Sequence, residues 1–488
     1  MEYKWSALIV TTVGTVMGGI DTRILVIGLP TIANQLHAGA VDVIWIAQAY
    51  LLATTVCLLL IGRISDLVGR VKLYNLGFVI FTVGSALSAI SFNSSQLILF
   101  RVVQGVGAAL LQTNSAAIIT DAAPTRQLGT MLGVNQLAWR IGNIAGLTLS
   151  GLILTLTDWR GLFFVNVPIG IAGTVWAMRK LREISVNDRS KKIDWMGFAT
   201  FSVGLTLVLL AITYLSYGIA GYVDGFMFLV VGLALIAAFV RIESSTSSPL
   251  LDMRLFEIRL FAVGNFAQAM NSLAWGAVVL LVAFYLQVGL GYSPLQAGIA
   301  ILPLDLSFMI STIIGGRFSD KYGSRVLSSL GMIIITVSFV GAFAMNASTP
   351  YIIIAVVLLA VGAGNGLFIS PNMRAIMSSV PANRRGIASG FRNTMFNIGF
   401  TSSYGLSILF LTAGISYSSL SSLLQGIGTE AVLVAAKSEF FIGFKISMLI
   451  LAAIQAAPIV PTILWGHDPP SSSNEDQVTS DTLTDSDI

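Results

Sequence analysis

Apolar stretches of about 20 residues, the length that crosses a bilayer, recur with centres near residues 17, 53, 81, 108, 142, 170, 206, 232, 275, 305, 335, 362, 399 and 452. The pattern predicts fourteen membrane-crossing helices. Two of the polar breaks between them are alike: residues 62–70 read GRISDLVGR and residues 316–325 read GRFSDKYGSR, both containing G-x-x-x-D-x-x-G. Such internal duplication points to a transporter of two related halves. A six-helix half at about 30–35 residues per helix and loop would put the copies about 200 residues apart. The observed 254 leaves room for two extra helices, and the chain reads as 6+2+6.

Composition agrees: of 488 residues, 55% are hydrophobic and only 10% charged, with a mean hydropathy of +0.84. That is more apolar surface than a soluble domain can hide, so the expectation is an all-α, multi-pass protein of the cell membrane. The first stretch, with Asp21 in its interior, is too long for a signal-peptide core and reads as a retained helix. Cys57 stands alone, so an intramolecular disulfide is excluded.

The net charge of +4 is not a nucleic-acid signature, because the basic residues alternate with the loops. Twenty of the 27 Lys and Arg residues fall on one face and only Arg160 and Lys437 on the other. The positive-inside rule makes the basic face, with both termini, cytoplasmic. The expected units are a six-helix bundle over 1–178, a linker with two extra helices over 179–259, a second six-helix bundle over 260–466 and a tail over 467–488. That tail carries six acidic and no basic residues and reads as disordered and solvated.

The motifs resemble the major facilitator superfamily, and within it the fourteen-helix drug:proton antiporters. The two glycine-aspartate turns are similar to the superfamily's loop signature. Further matches are Asp21-Thr22 with Leu29-Pro30-Thr31-Ile32, Trp45 with Tyr50-Leu51-Leu52-Ala53, and the Arg101-Val102-Val103-Gln104-Gly105 segment. Asp158-Trp159-Arg160-Gly161 through Asn166-Val167-Pro168, Tyr285-Leu286-Gln287 with the following Gly291-Tyr292-Ser293-Pro294, and Ser370-Pro371-Asn372 leading to Arg385-Gly386 complete the series in order. The fifth helix departs from the antiporter signature: Gly146-Leu147 stands for Gly-Pro and Ser150-Gly151 for Gly-Gly.

The resemblance implies alternating access. In that frame Gly62, Asp66, Gly69 and Arg70, with Gly316, Asp320, Gly323 and Arg325, are candidate conformational latches or simple helix caps. Gly133, Gly142, Gly146 and Gly151 are candidate sites of close helix packing.

Charges inside predicted helices include Asp21, Arg101, Arg140, Asp305 and Arg392. Each costs at least about 2.5–3.5 kcal/mol at mid-membrane. Asp21 with Arg101 is the leading proton-coupling pair, the competing reading being a static ion pair. Asp305 is a third coupling candidate, or a solvated residue near Pro303. Arg23 lies two residues after Asp21 and so points to another face. Arg23, Arg140 with Asn143, and Arg392 with Asn393 and Asn397 would favour an anionic cargo if they share a cavity. Asn271, Trp275 and Tyr285 are further candidates for an apolar pocket.

No nucleotide-binding motif, metal cluster or nucleophile–base pair stands out, so neither catalysis nor a cofactor is expected. The leading expectation is a monomeric, proton-coupled exporter of amphipathic small molecules or drugs, with the lipid bilayer as its other partner. The alternatives are a carrier of a narrower anionic, peptide or lipid cargo, and a non-transporting receptor or scaffold.

Overall fold

The computed structural model describes residues 2–184, 194–246, 253–380 and 385–464. The acidic tail and the middle of the linker lie outside the described residues, as do the side chains of Asp66 and Asp320. Among the described residues every regular element is helical. In order they are α1 (Tyr3–Leu36), α2 (Ala40–Val68), α3 (Arg70–Ala89), α4 (Ser94–Ala122), α5 (Thr125–Leu156), α6 (Gly161–Phe164), α7 (Asn166–Lys180), α8 (Trp195–Leu215) and α9 (Tyr222–Ser245). Then follow α10 (Arg259–Phe284), α11 (Pro294–Tyr322), α12 (Ser324–Ala342), α13 (Tyr351–Ser378), α14 (Arg385–Leu411), α15 (Tyr417–Gln425), α16 (Glu430–Ala456) and α17 (Ile459–Ile463).

Thirteen spans among the described residues are long and apolar enough to cross a membrane, with α6 and α7 forming one of them. The fourteenth expected span is α14, whose 27 residues reach about 40 Å at 1.5 Å per residue. It falls short on composition because Arg392, Asn393, Asn397, Thr401, Ser402, Ser403 and Ser407 interrupt its apolar run.

Packing repeats itself along the chain. α1 lies on α5 while α2 and α3 lie on α4; likewise α10 lies on α14 while α11 and α12 lie on α13. These two sets meet along two seams, α5 against α11 and α2 against α14. The intervening α8 and α9 pack on each other, and α8 leans on α2 and α14, where Trp45 Nε1 donates to Thr213 Oγ1 at 3.0 Å. α9 turns Val223, Phe226, Met227, Val230, Val231 and Leu233 outward, as suits a helix bathed in lipid.

The duplicated turns fold alike. Gly69 closes α2 at φ 114° and Gly323 closes α11 at φ 82°, each amide reaching back to a serine carbonyl, Ser65 at 3.0 Å and Ser319 at 3.1 Å. Around the first turn, Glu183 accepts from the Arg70 and Val71 amides at 3.2 and 3.0 Å, and Arg70 pairs with Asp121 at 2.6 Å. Gly62 faces Thr113 on α4 and Gly316 faces Ser370 on α13, while Arg325 is half-buried.

Positive φ costs a residue with a Cβ about 1–2 kcal/mol. Gly69→Ala and Gly323→Ala are therefore expected to lower the melting temperature. Gly69→Ala should do so more, because its new methyl would lie 2.6 Å from Glu183 Oε2. Equal shifts in thermal unfolding would mean that Glu183 moves aside freely.

The contacts joining the two sets gather at mid-depth and on the face opposite the basic turns. Gln287 Nε2 donates to Ile27 O at 3.1 Å, Asn34 Nδ2 to Gln425 O at 2.7 Å, and the Ala40 amide to Ser421 Oγ at 3.2 Å. α15 thus reaches over the α1–α2 turn. Toward the basic face, a methyl added at Gly133 of α5 or Gly390 of α14 would meet nothing within 4 Å.

Candidate functional site

α1 is held against α5 at main-chain distance, and this crossing sets the site. A Cβ on Gly19 would come 2.6 Å from Trp139 O, one on Gly142 would strike the Val16 carbonyl, and one on Gly146 would lie 2.7 Å from Ile20 O and 3.2 Å from Arg23 Cβ. Gly151 plays the same part across the seam, meeting Leu295 of α11. Of the four glycines picked out on this helix, Gly133 alone faces open space.

At mid-depth the two sets line a small cavity of about 50 Å³. Arg23 and Arg140 give it positive charge, while Tyr50, Trp139, Trp275, Phe396 and Phe400 give it flat walls. Thr22, Thr54, Gln112, Asn143 and Asn397 add hydrogen-bonding groups. Asn143, oriented to satisfy its neighbours, donates to Gly19 O at 3.0 Å and accepts from Trp139 Nε1 at 3.1 Å. The Arg140 guanidinium lies 4.0 Å from the Phe308 ring centre, and that ring packs on Trp275 at 5.3 Å.

Two buried ion pairs flank the cavity, and they differ in kind. Asp21, wholly inaccessible, accepts from Arg101 at 2.9 Å, Gln104 at 2.8 Å and Asn166 at 3.1 Å. Arg101 also donates to Gln104 Oε1 at 2.7 Å and to Ile46 O at 3.2 Å, and lies 4.2 Å above the Tyr50 ring. Every partner comes from the first set. The second pair joins Arg23 of α1 to Asp305 of α11 at 3.7 Å, with both side chains no more than 3% exposed. Here Arg23 Nη1 and Asp305 Oδ2 have no hydrogen-bond partner.

Arg392 donates to Asn393 at 3.1 Å, and its charge, with those of Arg23 and Asp305, reaches Arg140. Asn397 lines the cavity, whereas Asn393 is exposed. Asn271 accepts from Asn365 at 3.3 Å inside the second set, and Tyr285 donates to Asn346 O at 2.8 Å and stacks on Phe444 at 4.7 Å. Neither of these two lines the cavity.

Gln104 and Asn166, which complete the Asp21 cage, were not singled out by sequence reasoning. A signal existed for Gln104, three residues after Arg101 and therefore on the same helix face. Trp139, Gln112, Phe396 and Phe400 carried none, since sequence alone does not fix which face of an apolar helix looks inward.

Comparison with known proteins agrees with this architecture. The family model for the Major Facilitator Superfamily matches residues 11–194 and 194–404. The riboflavin transporter RibZ of Clostridioides difficile (strain 630) is 31% identical over 449 residues, covering 92% of this chain and 96% of the relative. Multidrug resistance protein 3 of Bacillus subtilis (strain 168) is 28% identical, covering 80% and 76% of the two chains. A bacterial homolog of the human lysosomal transporter Spinster, solved in an inward-facing and unoccupied conformation, superposes with a TM-score of 0.65 at 16% identity, over 95% of this chain and 97% of that one.

Proposed function

We propose, since this chain belongs to the major facilitator superfamily, that it carries a flat aromatic small molecule bearing an anionic group. It is a multi-pass integral membrane protein that transports a small-molecule substrate, and it is not an enzyme. The observation that carries the finer reading is the presence of Arg23 and Arg140 in one cavity walled by Trp139, Trp275, Phe396 and Phe400. Flat walls stack a planar ring system and exclude water; the arginines supply charge-assisted donors to an anion at its edge. Asn143, Asn397 and Gln112 supply donors and acceptors to its ring heteroatoms.

The mirrored packing supports reading α1–α7 and α10–α14 with α16 as two rocking halves, with α8 and α9 added in a 6+2+6 order. The basic-residue count supports cytoplasmic termini. In this state the cavity would open to the cytoplasm, and the turns ended by Gly69 and Gly323 would latch that side when it closes. RibZ, named as a transporter of riboflavin, a planar heteroaromatic compound, is in keeping with the aromatic walls.

The test is thermal stabilisation of the purified carrier by three flat probes: anthraquinone-2-sulfonate, riboflavin and ethidium. The anion is expected to stabilise most and the cation least. Arg140→Gln should weaken anion binding roughly 10–100-fold, the worth of one charged hydrogen bond of about 1.5–3 kcal/mol, and leave riboflavin much less affected. A second reading, a multidrug exporter, is favoured by the aromatic surface and by the names of several relatives. Stronger stabilisation by ethidium than by the sulfonate would select it.

A further inference from the structure

We infer that the carrier takes up its anionic cargo together with a proton, through an exchange of partners at Arg23. The inference rests on the anionic-cargo reading, and it reverses the sign of coupling that resemblance to drug:proton antiporters implies.

The two acids of the bilayer core are placed differently. Asp21 is caged by Arg101, Gln104 and Asn166 within one set, so a rocking motion carries the whole cage along unchanged. Asp305 instead holds Arg23 across the two sets, at a loose 3.7 Å, with one polar atom on each side chain unpaired. A buried pair of this kind invites a third party, because an additional partner would satisfy what the pair leaves open. Arg23 lines the cavity, whereas Asp305 does not. An anion in the cavity therefore reaches Arg23 and not Asp305.

Once the anion holds Arg23, Asp305 is left as a buried carboxylate with a weakened counter-ion. The charged group that remains near it is Arg140 from α5, which also feels Arg392 of α14, and Arg140 faces the same anion. The neighbouring helices α10 and α13 present Trp275, Asn271 and Asn365 at this depth, none of them charged. A proton from the water of the open side then adds to Asp305 Oδ2 and no other bond changes. The reverse order gives the same end state, since protonating Asp305 releases Arg23 for the anion. Anion and proton thus favour each other's binding, reciprocally and by the same factor. An antiporter needs the opposite, a proton and a cargo that exclude each other. The missing proline in Gly146-Leu147, beside Arg23, is a separate departure from the antiporter pattern.

The experiment adds anthraquinone-2-sulfonate, whose sulfonate does not titrate, to the purified full-length carrier in weak buffer with a pH-sensitive dye. Protons should be taken up, approaching one per anion bound. Anion affinity should fall by up to about tenfold for each unit the pH rises, the limit for one proton taken up with each anion. Asp305→Asn should bind the anion with no proton uptake and no such pH dependence, and Arg23→Gln should lose most anion affinity. Proton release, or binding without proton movement, overturns the inference while sparing the cargo reading. Proton uptake that persists in Asp305→Asn also overturns it. Failure of the anion to bind overturns both. The sign of proton movement in the unaltered carrier decides the matter even if a variant fails to fold.

Discussion

Replacing Arg101 with methionine is expected to cost about 3–5 kcal/mol of stability, enough to leave little folded carrier. A buried ion pair contributes modestly as a whole, but removing one partner strands the other's charge in a medium that cannot solvate it. Asp21 is fully inaccessible and Arg101 is 1% exposed, so neither can recruit water without opening the bundle. Gln104 and Asn166 would still donate to Asp21, yet they bring no charge. Asp21→Asn paired with Arg101→Gln removes both charges and should recover much of the loss. The readout is the monodisperse fraction of each variant on size-exclusion chromatography, followed by its thermal unfolding. If the single substitution melts like the parent, the cage contributes little and the pair's role must be sought in transport.

Gly142→Val should be nearly as damaging, for a reason that involves no charge. Overpacking a core commonly costs about 1–3 kcal/mol because side chains can shift. At Gly142 the obstacle is main chain, the Val16 carbonyl with Gly19 Cα at 3.2 Å, so α1 itself must move. That displacement would also carry Arg23 and Asp21 away from their partners. The upper end of that range or more is therefore expected, with loss of ligand-induced stabilisation. Gly133→Val, on the same helix, should stay within about 0.5 kcal/mol of the parent, since nothing lies within 4 Å. Comparable melting of the two valine variants would show that α1 and α5 are not locked together at this crossing.

These contrasts mark how far the amino-acid sequence can be read. Helix positions were legible because a bilayer imposes a length and a polarity on each span, and the two glycine-aspartate turns were legible because positive φ restricts them to glycine. Asp21 and Arg101 were legible as partners through the resemblance. The four glycines of α5 looked equivalent, as spacing alone does not say which side of the helix has a neighbour. Tyr285 and Trp275 looked equivalent too, although one stacks on Phe444 and the other lines the cavity. The Arg23–Asp305 contact spans 282 residues and two helices of different sets, and no local pattern encodes such a meeting. It is a product of where the α5–α11 seam brings the helices together.

The polar make-up of α14 bears on how the chain is put together in the first place. A segment carrying Arg392 and a series of amides and hydroxyls does not partition into lipid unaided, because each such group there raises the cost of insertion. Its partners α2 and α10 are made earlier on the ribosome, and α16 later. α14 must therefore wait at the translocon, or enter against α10, until protein surfaces replace the water its polar face gives up. Biogenesis of this carrier is thus a sequential docking in which a helix whose apolar run is broken by polar residues is among the last to settle, and damage to α10 should surface as misinsertion of α14.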